Sequence, residues 1–180
     1  MSAGDLEALL RVTSATYRAG RSPDVSVGTY EGALGRLVLA VTGKGVVACS
    51  FEDEHTIVER LTRVVGGLVG PDARRLDPVR RELDAYFSRR LRAFTTPVDL
   101  QLATPFARTL LQMTMAVPYG TSTTTADLGA RIGRPQALRA VGNALNANPV
   151  CVIVPCHRVR DRESYPGGAT ALERLLRIEG

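Results

Sequence analysis

A short stretch near the C-terminal end constrains this chain more than any other. Residues 148–160 read Asn-Pro-Val-Cys-Val-Ile-Val-Pro-Cys-His-Arg-Val-Arg. Their apolar middle, 150–154, is rich in β-branched residues, too short for a helix and flanked by proline, which predicts a buried extended segment. Pro155 fixes the backbone and removes an amide donor, so Cys156 and His157 follow at a rigid corner. We therefore expect a buried strand-like segment that ends in a turn carrying reactive side chains.

Cys156 is the candidate nucleophile of this turn. Cysteine attacks as the thiolate, and a neighbouring base or positive charge lowers the pKa of a thiol. His157 and the arginines that follow it supply both kinds of neighbour. Cys49 and Cys151 lie inside apolar runs, where a free cysteine is usually an inert core residue. The local context therefore favours a reactive role for Cys156 over the other two.

The composition bounds the size and the compartment of the protein. The chain has 180 residues, of which 44% are hydrophobic, enough for the core of one large domain or two small ones. Its three cysteines show no paired spacing, which argues against a disulfide framework and for a reducing compartment. The first residues lack the apolar core of a signal peptide, and no apolar run approaches membrane-spanning length. We expect a cytoplasmic protein without membrane contact.

The charge distribution suggests a polyanionic partner. The net charge is +5, and most of the excess of Lys and Arg over Asp and Glu lies in residues 101–180. A basic half of this kind suits phosphate contacts such as those made to nucleic acid. A solvated basic face is the alternative, and charge by itself does not separate the two.

The first half is predicted to form a sheet with flanking helices. Between residues 25 and 51, short apolar runs alternate with glycine-rich turns at 31–35 and 43–45, which predicts an antiparallel meander. Asp77 and Pro78 match a helix N-cap followed by proline at the first helical position. Helices are predicted over residues 5–19, 56–65 and 78–91.

Residues 93–99 are predicted to link this part to a second one, in which strands give way to helices. The predicted domains are therefore 1–98 and 99–180. Within the second domain, Thr104 and Pro105 repeat the pattern of an N-cap followed by a first-turn proline.

Two short helices joined by a glycine turn indicate a helix-turn-helix. The first is predicted over 123–132 and the second over 135–145, with a turn at Gly133. In the DNA-binding form of this motif the second helix enters a groove, and Arg139 lies on that helix. Helical hairpins with glycine turns are also common in ordinary α domains, so the pattern alone leaves both interpretations open.

No metal site or cofactor is predicted. Cys151, Cys156 and His157 lie close together in the sequence, but on an extended strand their side chains would not converge on one metal ion. A fourth zinc ligand is also not evident. The glycine pairs of the chain match neither a dinucleotide-binding nor a P-loop spacing. The isolated His55 is expected at the surface.

A thiol–imidazole relay is the chemistry that these residues suit. Neighbours on an extended backbone point to opposite sides, so direct proton transfer from Cys156 to His157 is awkward and an intervening water would carry the proton. Glu179, at the end of a closing helix predicted over 169–179, is the natural carboxylate to orient His157. A cysteine hydrolase uses similar groups and stays an alternative.

Several motifs follow one another in a characteristic order along residues 104–180. They are Pro118-Tyr119-Gly120, Arg139-Ala140-Val141-Gly142, Asn148-Pro149-Val150, Pro155-Cys156-His157-Arg158, Tyr165 with Gly167-Gly168, and Leu175-Leu176 with Glu179-Gly180. Together they resemble the O-6-alkylguanine-DNA alkyltransferases, also called methylated-DNA–protein-cysteine methyltransferases. The first half resembles that family more loosely.

The resemblance implies a protein that repairs DNA by accepting an alkyl group. The family binds duplex DNA through its helix-turn-helix in the minor groove, rotates the damaged guanine out, and transfers the alkyl group from O6 irreversibly to a cysteine. The implied fold is α/β, with a ribonuclease-H-like antiparallel sheet and helices followed by a helical, winged-helix-like DNA-binding domain. The implied partner is double-stranded DNA containing alkylated guanine, bound by a monomer without a cofactor.

The resemblance also assigns roles to residues. Cys156 is the acceptor and His157 is its water-mediated base. Glu179 orients His157, and Asn148 fixes the turn between the recognition helix and the acceptor. Arg139 is the finger that enters the base stack where the guanine left. The remaining implied DNA contacts are Thr125, Arg134, Ala140 and Gly142. The implied substrate pocket is lined by Val150, Cys151, Val159 and Tyr165.

Three positions and one loop depart from the usual pattern of the family. Thr125 stands where most members have a tyrosine, Cys151 where a proline often lines the pocket, and Leu172 where a basic residue is common. The loop between 160 and 165 is shortened. These departures predict an altered pocket shape or alkyl-group range. A damage sensor that binds alkylated DNA with weak or no transfer is therefore an alternative, beside the cysteine hydrolase.

Overall fold

The computed structural model describes residues 22–162 and 164–180, so the helix predicted over 5–19 lies outside the described residues. None of the helices in the described part is both long and apolar enough to cross a membrane. The elements, in chain order, are β1 (Val25–Gly32), β2 (Gly35–Thr42), β3 (Gly45–Ser50), α1 (Glu54–Val64), β4 (Val69–Gly70), α2 (Ala73–Phe87), α3 (Pro105–Met115), α4 (Thr125–Arg131), α5 (Leu138–Asn146), a 3-10 turn (Cys156–Arg158) and α6 (Gly168–Glu179).

The four strands form one sheet in the order β3-β2-β1-β4. β1, β2 and β3 pair antiparallel, which confirms the predicted meander. β4 adds a short parallel edge, with Val69 opposite Val25 of β1. The sequence did not predict β4, because a strand of two residues carries no readable periodicity.

The linker between the two halves runs along the other edge of the sheet. Val46 of β3 donates to the carbonyl of Pro97 and accepts from the amide of Asp99, each at 2.8 Å. The Asp99 carboxylate also accepts a hydrogen bond from the Thr42 hydroxyl at 2.7 Å. Gly45 permits this close approach, since it adopts φ +143° and a Cβ there would collide with the Pro97 carbonyl. The linker is therefore tied to the sheet by hydrogen bonds.

The start of α2 differs from its prediction. The helix begins at Ala73, capped by the Asp72 carboxylate, which accepts from the Arg74 amide at 3.1 Å. Pro78 lies inside the helix, where it removes one backbone hydrogen bond, instead of opening it. Burial of one apolar face outweighs this loss. The buried residues of that face are Leu76, Val79, Leu83 and Tyr86.

The starts of α3 and α4 lie within two residues of their predictions. The Thr104 hydroxyl accepts from the Ala107 amide at 3.3 Å, and Pro105 occupies the first turn of α3. The Thr124 hydroxyl accepts from the Asp127 amide at 3.1 Å and caps α4. Both helices therefore begin at side-chain caps that the sequence displays.

The start of α5 was predicted too early. The helix begins at Leu138, three residues after the predicted Pro135. The chain between α4 and α5 first completes a turn, in which the Arg134 amide donates to the Gly129 carbonyl at 2.7 Å. Gly133 supplies the left-handed backbone of that turn with φ +69°. The helix-turn-helix itself is present.

The segment 150–154 is extended only at its beginning. Cys151 donates to the carbonyl of Cys49 at 2.7 Å, so the segment first pairs with β3. It then turns back, and the amide of residue 154 bonds to the carbonyl of residue 150 at 3.0 Å. Val152 adopts φ +72°, an unusual conformation for a β-branched residue that costs about 1–3 kcal/mol. The prediction of an extended run was therefore wrong for its second part.

The larger apolar core runs through both halves. It joins Leu39 of β2 and Leu83 of α2 to Leu110 of α3, Leu145 of α5 and Val154 of the buried segment. A smaller core lies between the sheet and α1. The division at 98/99 stays a prediction, because the larger core is continuous across it.

Candidate active site

Cys156 opens a tight 3-10 turn directly after Pro155. The turn is closed by a hydrogen bond from the Arg158 amide to the Pro155 carbonyl at 3.0 Å and by one from the Val159 amide to the Cys156 carbonyl at 3.2 Å. The side chain of Cys156 has no exposed surface. The corner after Pro155 is therefore helical in its local geometry, and the thiol lies inside the protein.

Asn148 fixes the sulfur of Cys156. Its side-chain amide donates to the sulfur at 3.3 Å and to the carbonyl of Val154 at 3.2 Å, while its carbonyl accepts from the amide of Val150 at 3.0 Å. Asn148 is itself only 4% exposed. Because it follows α5 directly, it connects the second helix of the helix-turn-helix to the Cys156 turn.

The environment of the thiol favours the thiolate. The neighbouring Cys151 thiol lowers the pKa of Cys156 to about 6, with further lowering by the charge of Arg162 and the amide of Asn148, against the burial that raises it. The neighbouring Cys156 and burial raise the pKa of Cys151 well above its ordinary value, and the Cys151 thiol donates to the carbonyl of Asn148 at 3.4 Å. Cys151 therefore stays a protonated donor, and Cys156 is the reactive member of the pair.

His157 is oriented by a buried carboxylate. Its Nε2 lies 2.8 Å from Oε1 of Glu179, and the two side chains are 0% and 4% exposed. Burial raises the pKa of Glu179, but hydrogen bonds from His157 and Arg158 hold it well below its usual range. Glu179 is therefore ionised and accepts a hydrogen bond from Nε2, so the neutral imidazole presents Nδ1 as its acceptor nitrogen. That nitrogen is buried and has no partner among the described residues, so it is free to act as a base.

Two further side chains hydrogen-bond to Glu179, and the sequence predicted this role for neither of them. Tyr86 of α2 donates to Glu179 at 2.6 Å, although it lies 93 positions away in the chain. Arg158 was expected to act on the thiol, but its guanidinium contacts Glu179 through Nη2 at 2.8 Å and the carbonyl of Val117 through Nη1 at 2.5 Å. The charge that acts on the thiol belongs to Arg162. No local signal could reveal these partners, because each depends on tertiary packing.

The structure separates Thr125 from the other residues expected to contact DNA. Arg139 and Ala140 are exposed on α5, Arg134 is exposed in the preceding turn, and Gly142 is half-buried on α5. Thr125 is only 8% exposed. Its amide and hydroxyl both donate to the carboxylate of Asp161, at 2.7 Å each.

The residues expected to line the substrate pocket all lie in the interior. Tyr165 is 6% exposed and packs edge-on against Phe51, with ring centroids 5.8 Å apart. Beside them, a cleft of about 420 Å³ separates α5 from the loop that follows the Cys156 turn. The remaining buried pocket residues are Val150, Cys151 and Val159. The cleft is lined by Thr125, Leu138, Arg139, Gly142, Asn143, Asn146, Asp161 and Arg162.

Two family models match the chain over most of its described length. Residues 25–100 match the ribonuclease-like domain of 6-O-methylguanine DNA methyltransferase, and residues 105–180 match the DNA-binding domain of the same protein. The chain thus matches both domains of one class of protein. It also carries a buried thiol of lowered pKa and an exposed helix-turn-helix.

Individual relatives agree with the family models. A probable methylated-DNA–protein-cysteine methyltransferase of Acanthamoeba polyphaga mimivirus is 32% identical, over 78% of this chain and 92% of that one. The constitutive methylated-DNA–protein-cysteine methyltransferase of Bacillus subtilis is also 32% identical, over 84% and 93%. The crystal structure of the Mycobacterium tuberculosis O6-methylguanine methyltransferase superposes with a TM-score of 0.73 at 29% identity, over 86% and 92%. The Mycobacterium tuberculosis OGT in complex with DNA gives 0.70 at 29%, over 84% and 90%.

This chain therefore belongs to the methylated-DNA–protein-cysteine methyltransferase family. The family resemblance and the α/β fold predicted from the motifs are confirmed. The roles of the individual site residues stay predictions.

Proposed function

We propose that this protein repairs alkylated guanine in duplex DNA by moving the alkyl group from O6 of the base to Cys156 in one irreversible turnover. The observation that carries this proposal is the acidified thiol of Cys156 beside the His157–Glu179 pair. Membership of the methylated-DNA–protein-cysteine methyltransferase family supports the same reaction.

The thiolate is generated through His157. Nδ1 of His157 takes the Cys156 proton through a water molecule, and the imidazolium that forms is stabilised by the ionised Glu179. Tyr86 and Arg158 hold that carboxylate in place. The sulfur then attacks the alkyl carbon, a carbon–sulfur bond forms, and the bond from carbon to O6 breaks with its electron pair staying on O6. The proton that left Cys156 is returned to the guanine through His157 and solvent, and the stable thioether ends the reaction.

DNA is bound by the exposed side of the helix-turn-helix. Arg139 is the finger that fills the space left in the base stack, and Arg134, Ala140 and Gly142 form the neighbouring contact surface. Extrusion of the base is required because Cys156 has no exposed surface and no base within a duplex could reach it. A base that is damaged is extruded more easily than an intact one, which supports selectivity for alkylated guanine.

Thr125 has a different role from that implied by its position in the family. Its two hydrogen bonds to Asp161 support a structural function, in which Thr125 holds the loop after the Cys156 turn against α4.

We propose that the protein acts on DNA as a monomer in the cytoplasm.

Intact-mass measurement tests the proposal. Incubation with a duplex oligonucleotide containing O6-methylguanine is expected to add one methyl group per chain, located on Cys156, and then to stop at a stoichiometry of one. Cys156→Ser should bind the oligonucleotide but gain no mass. A shift in DNA mobility without any mass gain in the wild-type protein would favour the damage sensor, and repeated turnover of an ester would favour the hydrolase.

A further inference from the structure

Buried polar atoms without a partner gather around Cys156. Six side-chain nitrogen and oxygen atoms of the described residues are buried and lack a hydrogen-bond partner among those residues. Four of the six belong to His157, Arg162 and Tyr165. Such atoms are rare in folded proteins and often mark a place where a ligand supplies the missing partner. The reaction described above uses the nitrogen of His157 but gives no role to Arg162.

Arg162 directs one edge of its guanidinium at the reacting centre. Nη1 donates to the carbonyl of Cys156 at 2.9 Å, and the guanidinium carbon lies 4.8 Å from the centre of the Tyr165 ring. The charge of Arg162 also lowers the pKa of the Cys156 thiol. Nε and Nη2 have no partner among the described residues. These two nitrogens share one edge of the planar group, and their parallel N–H bonds suit a pair of adjacent acceptors.

The backbone that carries Arg162 is anchored. Asp161, the preceding residue, binds both the amide and the hydroxyl of Thr125 at the start of α4. Arg162 also lines the cleft that contains Arg139 and Gly142 of α5. A base that leaves the duplex at Arg139 and travels to Cys156 therefore approaches the guanidinium.

Guanine offers the acceptors that this edge lacks. O6 and N7 lie side by side on one edge of the base, and arginine binding to both is the commonest specific contact between proteins and guanine. O6 is also the atom that gains negative charge when its bond to the alkyl carbon breaks. A cationic donor held at O6 stabilises that charge.

We propose that the Nε–Nη2 edge of Arg162 binds O6 and N7 of the extruded guanine and stabilises O6 as the alkyl group leaves, which makes Arg162 a catalytic residue. This inference rests on the proposed alkyl transfer. The bonds made and broken are those of that transfer: sulfur gains the alkyl carbon, O6 keeps the electron pair, and the Cys156 proton returns to the base. Arg162 donates hydrogen bonds and transfers no proton.

Replacing N7 of the substrate by carbon tests the contact. Single-turnover rates are measured with O6-methylguanine and with its 7-deaza analogue, in the same duplex, for the wild-type protein and for Arg162→Gln. The wild-type protein is expected to slow roughly tenfold with the analogue. Arg162→Gln is expected to react roughly 10- to 100-fold more slowly with the ordinary substrate and to be indifferent to N7. Arg108→Gln, at an exposed arginine of α3, loses the same charge and should behave as the wild type.

A third variant separates the contact from a simple effect on the thiol. Arg162→Lys keeps the charge but lacks the planar edge, so it should keep the ultraviolet titration of the Cys156 thiolate and lose the sensitivity to N7. The inference is overturned if replacing N7 by carbon slows the wild-type protein and all variants equally. It is also overturned if the slower rate of Arg162→Gln is explained entirely by a changed thiolate titration. Failure of the wild-type protein to transfer methyl at all would instead refute the proposed function.

Discussion

Nε2 of His157 lies 2.8 Å from Oε1 of Glu179, and neither side chain is more than 4% exposed. The carboxylate also accepts hydrogen bonds from Tyr86 and Arg158. This arrangement leaves a single nitrogen of the imidazole available to the thiol and keeps the negative charge of Glu179 where an imidazolium would form. It is the part of the site whose energetics can be tested most directly.

Glu179→Gln should impair both reaction and stability. The transfer rate is expected to fall roughly 100-fold or more, because the imidazolium loses its countercharge. The free energy of unfolding should fall by about 3–5 kcal/mol, because the buried Arg158 loses its anionic partner. Single-turnover kinetics and urea unfolding measure the two effects. Glu173→Gln breaks an exposed ion pair on the same helix and should change the transfer rate and the free energy of unfolding very little. Equal losses in the two variants would contradict the role of Glu179.

Glu179 should also govern stability in acid. Because the pKa of Glu179 is held well below its unfolded value of 4.5, its contribution is fully present above about pH 4.5 and is lost as the pH falls toward the lowered pKa. The wild-type protein is therefore expected to lose unfolding free energy below pH 4.5 more steeply than Glu179→Gln. Urea unfolding across this pH range checks the slope, and parallel profiles would refute the assignment.

The thiolate of Cys156 should form at a lower pH than that of a free cysteine. Ultraviolet absorbance of the wild-type protein minus that of Cys156→Ser is expected to show a transition near pH 6, where the pKa of Cys156 is placed. Cys151→Ala removes the neighbouring thiol that lowers this pKa, so the transition should move to higher pH. A transition in the range of an ordinary thiol in both proteins would mean that Cys156 is not acidified.

Asn148→Ala should loosen the Cys156 turn. The substitution leaves the buried amide of Val150 without its partner, at a cost of about 1–3 kcal/mol. The carbonyl of Val154 loses one donor but keeps its hydrogen bond from the Cys156 amide at 2.8 Å. The thiolate also loses a donor, so its pKa should rise. Urea unfolding and the thiolate titration measure these effects. Asn146→Ala, at an exposed position two residues earlier, should be within about 0.5 kcal/mol of the wild type.

Arg139→Ala should slow repair of duplex DNA without slowing the chemistry. If Arg139 fills the emptied base stack, its removal raises the cost of extrusion and should reduce the duplex rate roughly 10- to 100-fold. The rate with free O6-methylguanine base should be unchanged. Arg108→Ala provides a charge-matched control. Equal slowing with both substrates would show that Arg139 is not a finger.

The sequence predicted those features that depend on neighbouring residues. The meander, the cap of α3 at Thr104 and the helix-turn-helix could all be predicted, because turn residues and caps act locally. The prediction for α2 failed because Pro78 looks like a helix start, whereas burial of a whole apolar face sustains the helix through it. The left-handed backbone of Val152 could not be predicted, since its own side chain disfavours it and only the surrounding interior holds it.

The candidate site divides in the same way. Cys156, His157 and Glu179 could be proposed because their motifs are contiguous or terminal. The roles of Tyr86 and Arg162 could not, because the first is brought to Glu179 by packing of α2 and the second by a loop whose path depends on the Asp161–Thr125 contact.

The hydroxyl of Tyr86 extends the proton network of the second half of the chain into the first. Without that donor Glu179 would hold its charge less firmly, and an imidazolium formed on His157 would be stabilised less. A small displacement of α2 relative to α6 would therefore alter how readily the sulfur loses its proton. In this protein the sheet-bearing half is thus an electrostatic partner in the reaction, besides being a support for the half that meets DNA.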